Sequence, residues 1–379
     1  MTPLGTNTLR ELASFQASNA CAVSLYVDLD PSSVPTSAEL DKHLDALLSE
    51  AGRVSRVEGD GLTHEERVSL RFDLDRISRY FDEEFERNGA RGLALFSCGA
   101  GNLWRVLPLS QSVPDACRIA RRLYLTPLVP VADGRGEIVI VAVGREQGQI
   151  WSLADGNIEL LADHFEQQPR SHDQGGRAQA RFARHIKHLV YEHLRDVAAD
   201  LDRRLRRLHP LGLVVVATEE TRPEIERLLS SEAHRLLIGF VQPGSRPGAP
   251  ALRKVVEPLV GRLKEEREAR LTRRWRDETG RAGRACAGWE RTLEAASDGR
   301  IEVLLYSVGT KSRGWLCSDC GRISAQPGNC PLDGMTLAEQ DDGLDLLVHR
   351  TLEQGGSIVV LHEPSLPEES EGIGALLRY

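Results

Sequence analysis

At 379 residues the chain is too long for one ordinary core, and its balance of 41% hydrophobic to 27% charged residues is that of a folded, water-soluble protein. No run approaches the roughly 18 to 20 apolar residues that a membrane-spanning helix needs. The net charge of -8 excludes a surface coated in base for indiscriminate nucleic-acid binding.

The start, MTPLGTNTLRELASFQ, lacks a basic segment followed by an apolar one, so no export signal is expected and the cytoplasm is the expected compartment. Residues 9–15 carry helical periodicity, and 22–29 (AVSLYVDL) are an apolar strand ended by Asp30-Pro31-Ser32-Ser33. Helices are predicted over 39–54 and 64–81, strands over 91–97 and 103–108, and a short helix over 115–122. Pro127, Pro130 and Asp133-Gly134 mark a boundary. Beyond it, strands are predicted over 137–143, 148–153 and 157–161, separated by short turns and forming a meander. After a long helix, 211–217 (LGLVVVA) is a strand, 221–229 a helix opening with Thr-Arg-Pro-Glu, and 236–241 a strand. The densely charged helical pattern over 252–276 is of the kind that bridges domains. The remainder reads as helix 285–297, strand 301–307, helix 344–354 capped by Gly355-Gly356, strand 357–362 and a closing strand over 372–379. This alternation predicts an α/β chain of three domains, 1–127, 131–277 and 278–379, each a mixed sheet with helices.

Seven cysteines form no closely spaced ladder of even number, so a disulfide framework is not expected. Cys21, Cys98 and Cys117 sit beside apolar runs and are expected as buried thiols. Cys317-x2-Cys320-x9-Cys330-x2-Asp333 has the spacing of a metal knuckle pair, and Gly321 lets backbone amides turn toward the thiolates. A small zinc-ribbon-like insertion is therefore expected over 311–337, with Cys317, Cys320, Cys330 and Asp333 as ligands. A ribbon that binds no metal is the competing reading. Its role is structural in either case, since nothing nearby suggests an open catalytic position.

The stretch over 171–209 stands apart. Gly175 and Gly176 precede a long amphipathic helix whose apolar positions, Phe182, Ile186, Leu189, Val190, Leu194, Val197, Leu201, Leu205 and Leu208, recur every three or four residues. From 170 to 209 there are ten Lys and Arg against five Asp and Glu, with five histidines. Helices prefer acids near their start, yet Arg177, Arg181 and Arg184 stand at the positive end of this one. Arginines at a helix N-terminus make an anion site, so one insertion point into RNA is expected within an acidic protein. A solvated charged face beside a glycine hinge explains the same pattern without a partner.

The run Gly-Gly-x-x-Gln-x-Arg-Phe-Ala-Arg-His resembles the start of the middle domain of the class-1 peptide chain release factors of archaea and eukaryotes. There a Gly-Gly-Gln tip precedes Ser-Ala-Leu-Arg-Phe-Ala-Arg and a long helix. Gly175, Gly176 and Arg181 to Arg184 match without a gap, whereas Arg177 stands where the family has glutamine and Gln179 lies two residues later. Bacterial members of the superfamily, which also contains Pelota, often carry such an offset form. The C-terminal order of elements, down to Gly-Ala-Leu-Leu-Arg-Tyr, resembles the last domain of the same superfamily, and archaeal members carry a zinc ribbon at the place of the Cys317 cluster. The resemblance spans roughly residues 131–379. In the N-terminal domain the family reads stop codons through Asn-Ile-Lys-Ser and a Cys-containing motif, and this sequence has neither.

The resemblance implies a ribosomal A-site factor with Gly175 and Gly176 entering the peptidyl-transferase centre and Gln179 or a loop amide orienting water against the peptidyl-tRNA ester. Arg177, Arg181, Arg184 and Lys187 are expected to contact phosphates of ribosomal RNA. Expected partners are the ribosome and, through the last two domains, a translational GTPase; neither a membrane nor DNA is expected. A second reading keeps the ribosome and drops the hydrolysis, as a rescue or hibernation factor of the Pelota type. A third is an α/β scaffold with no RNA partner. Other enzyme classes lack support, since no P-loop, GxSxG, HExxH or Rossmann fingerprint occurs.

Overall fold

The computed structural model describes residues 6–18, 20–54, 62–132, 137–154, 157–166, 177–243, 248–281, 283–362 and 366–379. It is a mixed α/β protein whose chain divides into two compact units, Arg135–Arg267 and a second made of Met1–Gly134 with Glu268–Tyr379. Among the described residues no helix is long and apolar enough to cross a membrane.

The N-terminal part runs α1 (Thr6–Ala13), β1 (Ala22–Asp28), α2 (Ser37–Val54), α3 (His64–Glu83), β2 (Gly92–Cys98), β3 (Leu103–Leu109), β4 (Ala116–Ala120) and, after a 3-10 turn at Thr126–Leu128, α4 (Val129–Ala132). Its sheet has the order β3-β2-β1-β4, with every pair antiparallel. Period-two alternation sends Val23, Leu25 and Val27 toward α2 and α3, where Leu40, Leu44, Leu70 and Ile77 meet them. Tyr26, Ala94 and Phe96 point to the other face. Thr63 and Glu66 close a capping box on α3. The helix predicted over 115–122 is instead strand β4. Its alternating Cys117 and Ile119 face the helices, and pairing with β1 satisfies its backbone.

The middle unit contains β5 (Ile138–Val143), β6 (Gln147–Ala154), β7 (Asn157–Phe165), α5 (Arg177–Leu208), β8 (Gly212–Ala217), α6 (Arg222–Leu228), α7 (Ser231–Leu236), β9 (Leu237–Val241) and the first part of α8 (Ala249–Gly280). The strand order is β7-β6-β5-β8-β9. The meander β5-β6-β7 is antiparallel, while β5, β8 and β9 run parallel. Val139 and Val141 face α5, while Ile138 and Ile140 face α8, so the sheet is covered on both sides and its central strands are apolar throughout. Gly148 lets α5 approach β6, because a Cβ there would lie 2.4 Å from a methyl of Val197.

The C-terminal part adds β10 (Ala285–Ala287), α9 (Trp289–Ser297), β11 (Ile301–Ser307), β12 (Gly314–Leu316), β13 (Ile323–Ser324), β14 (Ala338–Gln340), α10 (Gly343–Glu353), β15 (Ser357–Leu361) and β16 (Ile373–Leu377). The main sheet has the order β10-β16-β11-β15, and β13-β12-β14 form a separate small sheet. Residues 285–287, read from sequence as the start of a helix, pair instead with β16. The end of α8 belongs to this unit: Trp275 is buried and donates from Nε1 to the Cys286 carbonyl at 2.9 Å. A single apolar core runs from α1, the lower face of the N-terminal sheet and α4 to α9, α10 and the C-terminal sheet. At its polar centre lies His349 of α10, whose Nε2 is 2.7 Å from the Leu123 carbonyl and whose Nδ1 is 3.3 Å from that of Ala13.

Candidate functional site

In the middle unit the sequence of the Gly-Gly stretch leads directly into α5, which is continuous over 32 residues and therefore about 48 Å long. Gly175 and Gly176 lie outside the described residues, as do the side chains of Arg177, Gln179 and Arg181. Helical geometry still orders their positions. At about 100° per residue, positions 177, 181 and 184 fall within about 60° of one another on the helix, and position 179 lies across from them, in line with positions 186 and 190. Ile186 and Val190 are buried, whereas Arg184 and Lys187 are exposed. No acid stands in the first turn of α5.

An ion network ties α5 to β7, the last strand of the meander. Asp200 is buried and accepts from Arg204 Nε at 3.1 Å, from Arg203 at 3.1 Å and from the His164 ring at 3.0 Å. Burial alone would push its carboxyl up; the His164 and Arg204 hydrogen bonds outweigh that and hold it below its ordinary value. The pin sits 23 residues, about 35 Å, from the first residue of the helix. His193 is buried on the same helix, and its Nε2 finds no partner among the described residues. Sequence reading missed both features, because His164 and Asp200 are distant in the chain and a lone buried histidine leaves no pattern.

The second candidate site is the cysteine cluster. Cys317, Cys320, Cys330 and Asp333 come together with their ligand atoms all within 4.8 Å of one another. Cys317 Sγ donates to Asp333 Oδ2 at 3.2 Å, and the sulfurs of Cys320 and Cys330 are 3.4 Å apart. Two knuckles build the cluster. Cys317 N–H donates to the Arg322 carbonyl at 2.8 Å and Cys330 N–H to that of Met335 at 2.7 Å; Gly321 and Gly334 donate back to the two cysteine carbonyls at 3.0 and 2.9 Å. Both glycines adopt the left-handed conformation that this turn requires, with φ of 70° and 75°. Asp333 thus occupies in the second knuckle the place of Cys320 in the first. The Met335 N–H at 3.0 Å, then the Cys317 thiol, hold its carboxyl down to about 2.

The Arg322 N–H favours the Cys320 thiolate, but burial and the neighbouring Asp333 and cysteines push its thiol up to about 12. Burial also works against ionisation of Cys330, yet the N–H groups of Leu332 and Asp333 aimed at its sulfur prevail and lower it. Amides directed at sulfur beside an ionised carboxylate are an environment that a cation completes. A tetrahedral ion bonded to sulfur at about 2.3 Å would set its ligand atoms about 3.8 Å apart, in keeping with the spacing here. The ribbon is mounted on the C-terminal domain: Ser297 Oγ donates to the Ile323 carbonyl and accepts from its N–H, both at 3.0 Å, while Arg350 donates to the carbonyls of Cys320 and Gly321.

Residues 124–259 match the model of a family described as bacterial archaeo-eukaryotic release factor family 10. None of the curated proteins matches the chain. Among solved structures, the chain is similar to the archaeal translation termination factor aRF1, with 16% identity over 99% of this chain and 98% of that one and a TM-score of 0.29. It is also similar to Pelota of Archaeoglobus fulgidus, with 18% identity, coverage of 78% and 81% and a TM-score of 0.34. A ribosome-bound archaeal Pelota, in a model with ABCE1, shares 15% identity over 73% and 72% with a TM-score of 0.40. At these identities and scores nothing about activity passes from those structures to this chain.

Proposed function

We propose, from the premise that the chain belongs through its middle unit to the bacterial branch of the archaeo-eukaryotic release factor superfamily, that it is a ribosomal A-site factor acting on peptidyl-tRNA. The observation that carries this reading is the run of bases Arg177, Arg181, Arg184 and Lys187 in the sequence just after Gly175 and Gly176, with Arg184 and Lys187 exposed on α5, in a chain of net charge -8. A long helix places its first residues far from its own anchor, and glycines without Cβ admit close approach to RNA and substrate. Arg177, Arg181, Arg184 and Lys187 contact phosphates of ribosomal RNA. Gln179 or a loop amide orients a water against the ester carbonyl; the water oxygen bonds to that carbon, the bond to the tRNA ribose oxygen breaks, and that oxygen takes up a proton.

One observation favours a second reading, in which the factor occupies the A site without hydrolysis. Arg177 directly follows the glycines, and Gln179 falls on the face of α5 opposite the arginine row. Release of labelled peptide from bacterial ribosomes carrying peptidyl-tRNA separates the two readings, with wild type run beside Gln179→Ala. Release that disappears in the variant establishes hydrolysis; tight binding without release by wild type establishes a rescue or hibernation factor; no binding overturns both.

We further assign zinc to the ribbon. Three thiolates and one carboxylate suit a borderline-soft ion that accepts four ligands, and are a poor set for calcium or magnesium. Its role is structural, because all four positions are supplied by protein. A translational GTPase remains the expected second partner, and the cytoplasm the expected compartment.

A further inference from the structure

Three cysteines and one aspartate answer an oxidant differently from four cysteines, because a carboxylate cannot join a disulfide. Of the seven cysteines in the chain, Cys320 alone is exposed, whereas Cys317 and Cys330 are 1% and 2% exposed. The C-x2-C spacing of Cys317 and Cys320 suggests that these two would be the redox pair. The structure pairs the sulfurs otherwise. Cys317 Sγ is engaged by Asp333 Oδ2 at 3.2 Å, and the sulfur in contact with Cys320 is that of Cys330, in the other knuckle, at 3.4 Å. One exposed thiol thus has one buried thiol against it, and the third is occupied by a carboxylate.

We propose that Cys320 and Cys330 form an oxidation site for hydroperoxides, at which a disulfide between the two knuckles replaces the metal; this inference rests on the zinc assignment. Ion and bond exclude each other. The ligands of a tetrahedral zinc lie about 3.8 Å apart, whereas two bonded sulfurs lie about 2.05 Å apart. The link also takes one ligand from each knuckle. Cys317 and Asp333 then remain, too few for a four-coordinate structural site.

The chemistry needs one two-electron oxidant. The Cys320 thiolate attacks a peroxide oxygen; the S–O bond forms, the O–O bond breaks, and the departing hydroxide or alkoxide takes up a proton. The Cys330 thiolate then attacks the Cys320 sulfur; the S–S bond forms, the S–O bond breaks, and the hydroxide that leaves takes up a second proton. The two thiolates have given up two electrons, and the peroxide has become water with an alcohol or a second water. A reducing cytoplasm returns the pair to thiolates, so the oxidised state lasts only as long as the oxidant. The change falls where the ribbon is mounted, since Arg350 of α10 donates to the carbonyls of Cys320 and Gly321.

The test uses the full chain, purified under reductant and then freed of it, with bound zinc counted first. Hydrogen peroxide is added in the presence of a chromogenic zinc chelator. Free thiols are then blocked with N-ethylmaleimide, and linked peptides are mapped by mass spectrometry. The expected result is a link between positions 320 and 330 with loss of two hydrogens, a blocked Cys317, and one zinc released per link; dithiothreitol with added zinc reverses all three. Cys317→Ser should keep the link even where it binds zinc poorly, because the mapping does not need the ion, and Cys330→Ser should lose it and carry Cys320 on to sulfinic acid. A link between Cys317 and Cys320, or irreversible oxides of Cys320 with no link in wild type, overturns the oxidation site. A link formed with zinc fully retained overturns the exclusion of ion by bond. A chain that binds no zinc yet links positions 320 and 330 overturns the zinc assignment, and the release that rests on it, and leaves the oxidation site standing.

Discussion

Asp345 offers the sharpest test of how the two ends of the chain are held together. Its Oδ1 accepts from the Leu125 N–H at 2.9 Å, from the Thr126 N–H at 3.0 Å and from the Thr126 hydroxyl at 3.0 Å. Its Oδ2 stands 3.6 Å from His349 Nε2. Both His349 nitrogens face carbonyl oxygens, Nε2 that of Leu123 and Nδ1 that of Ala13. Burial pushes the Asp345 carboxyl up, against the pull of His349 and the two amides. In Asp345→Ala the Leu125 and Thr126 amides lose their acceptor and the hydroxyl can rotate away. At about 1 to 3 kcal/mol for each of the two orphaned amides, the loss should be about 2 to 6 kcal/mol. Asp345→Asn keeps an oxygen for the amides and should lose roughly half as much. Urea unfolding, followed by hydrogen exchange in peptides from α1 and α10, measures both variants within this unit. A loss below about 1 kcal/mol in Asp345→Ala, or equal losses in the two variants, would refute the reasoning.

Three further outcomes are expected. Gly148→Ala forces β6 away from α5 and should cost about 1 to 3 kcal/mol in thermal or urea unfolding; adding Val197→Ala should recover part of it, and strictly additive losses would show that the two residues do not compete for space. Ser32, through its N–H and hydroxyl, and then Arg91 hold Asp30 down to about 2 from an ordinary 3.8. A depressed carboxyl stabilises the fold above its unfolded value and loses that contribution as pH falls from 3.8 to about 2, so Asp30→Asn should flatten this part of the acid limb of stability against pH. Cys317→Ser should lower bound zinc below one per chain and speed amide exchange in the ribbon, whereas stoichiometric zinc in that variant would show that the cluster is not the site.

Much of this fold is legible because its strongest elements are determined locally. Continuous apolar runs such as IVIVAV in β5 and GLVVVA in β8 are buried on both faces, and the stripe from Ile186 to Leu205 in α5 needs only helical periodicity. Short segments with arginine or alanine between apolar residues were misread. Ala116–Ala120 and Ala285–Ala287 become strands through partners about 90 residues away, Ala22 to Tyr26 in one case and Gly374 to Leu376 in the other. The cysteine cluster could be read from spacing because a knuckle closes its hydrogen bonds within five residues. His349 could not, since its partners include Ala13, and neither could Asp200 with His164. Gly175 and Gly176 were legible only through resemblance and lie outside the described residues.

The position of β16 bears on how the protein is made. It lies inside its sheet, between β10 and β11, though it is synthesised after every other element described here. The core it completes also covers Leu9, Leu12, Leu123 and Leu128 from the N-terminal part. A nascent chain therefore carries that apolar surface uncovered until β16 has emerged, while the middle unit, contiguous in sequence, can close as soon as it emerges. Removing residues 373–377 should leave a folded middle unit attached to an aggregation-prone remainder that chaperones bind.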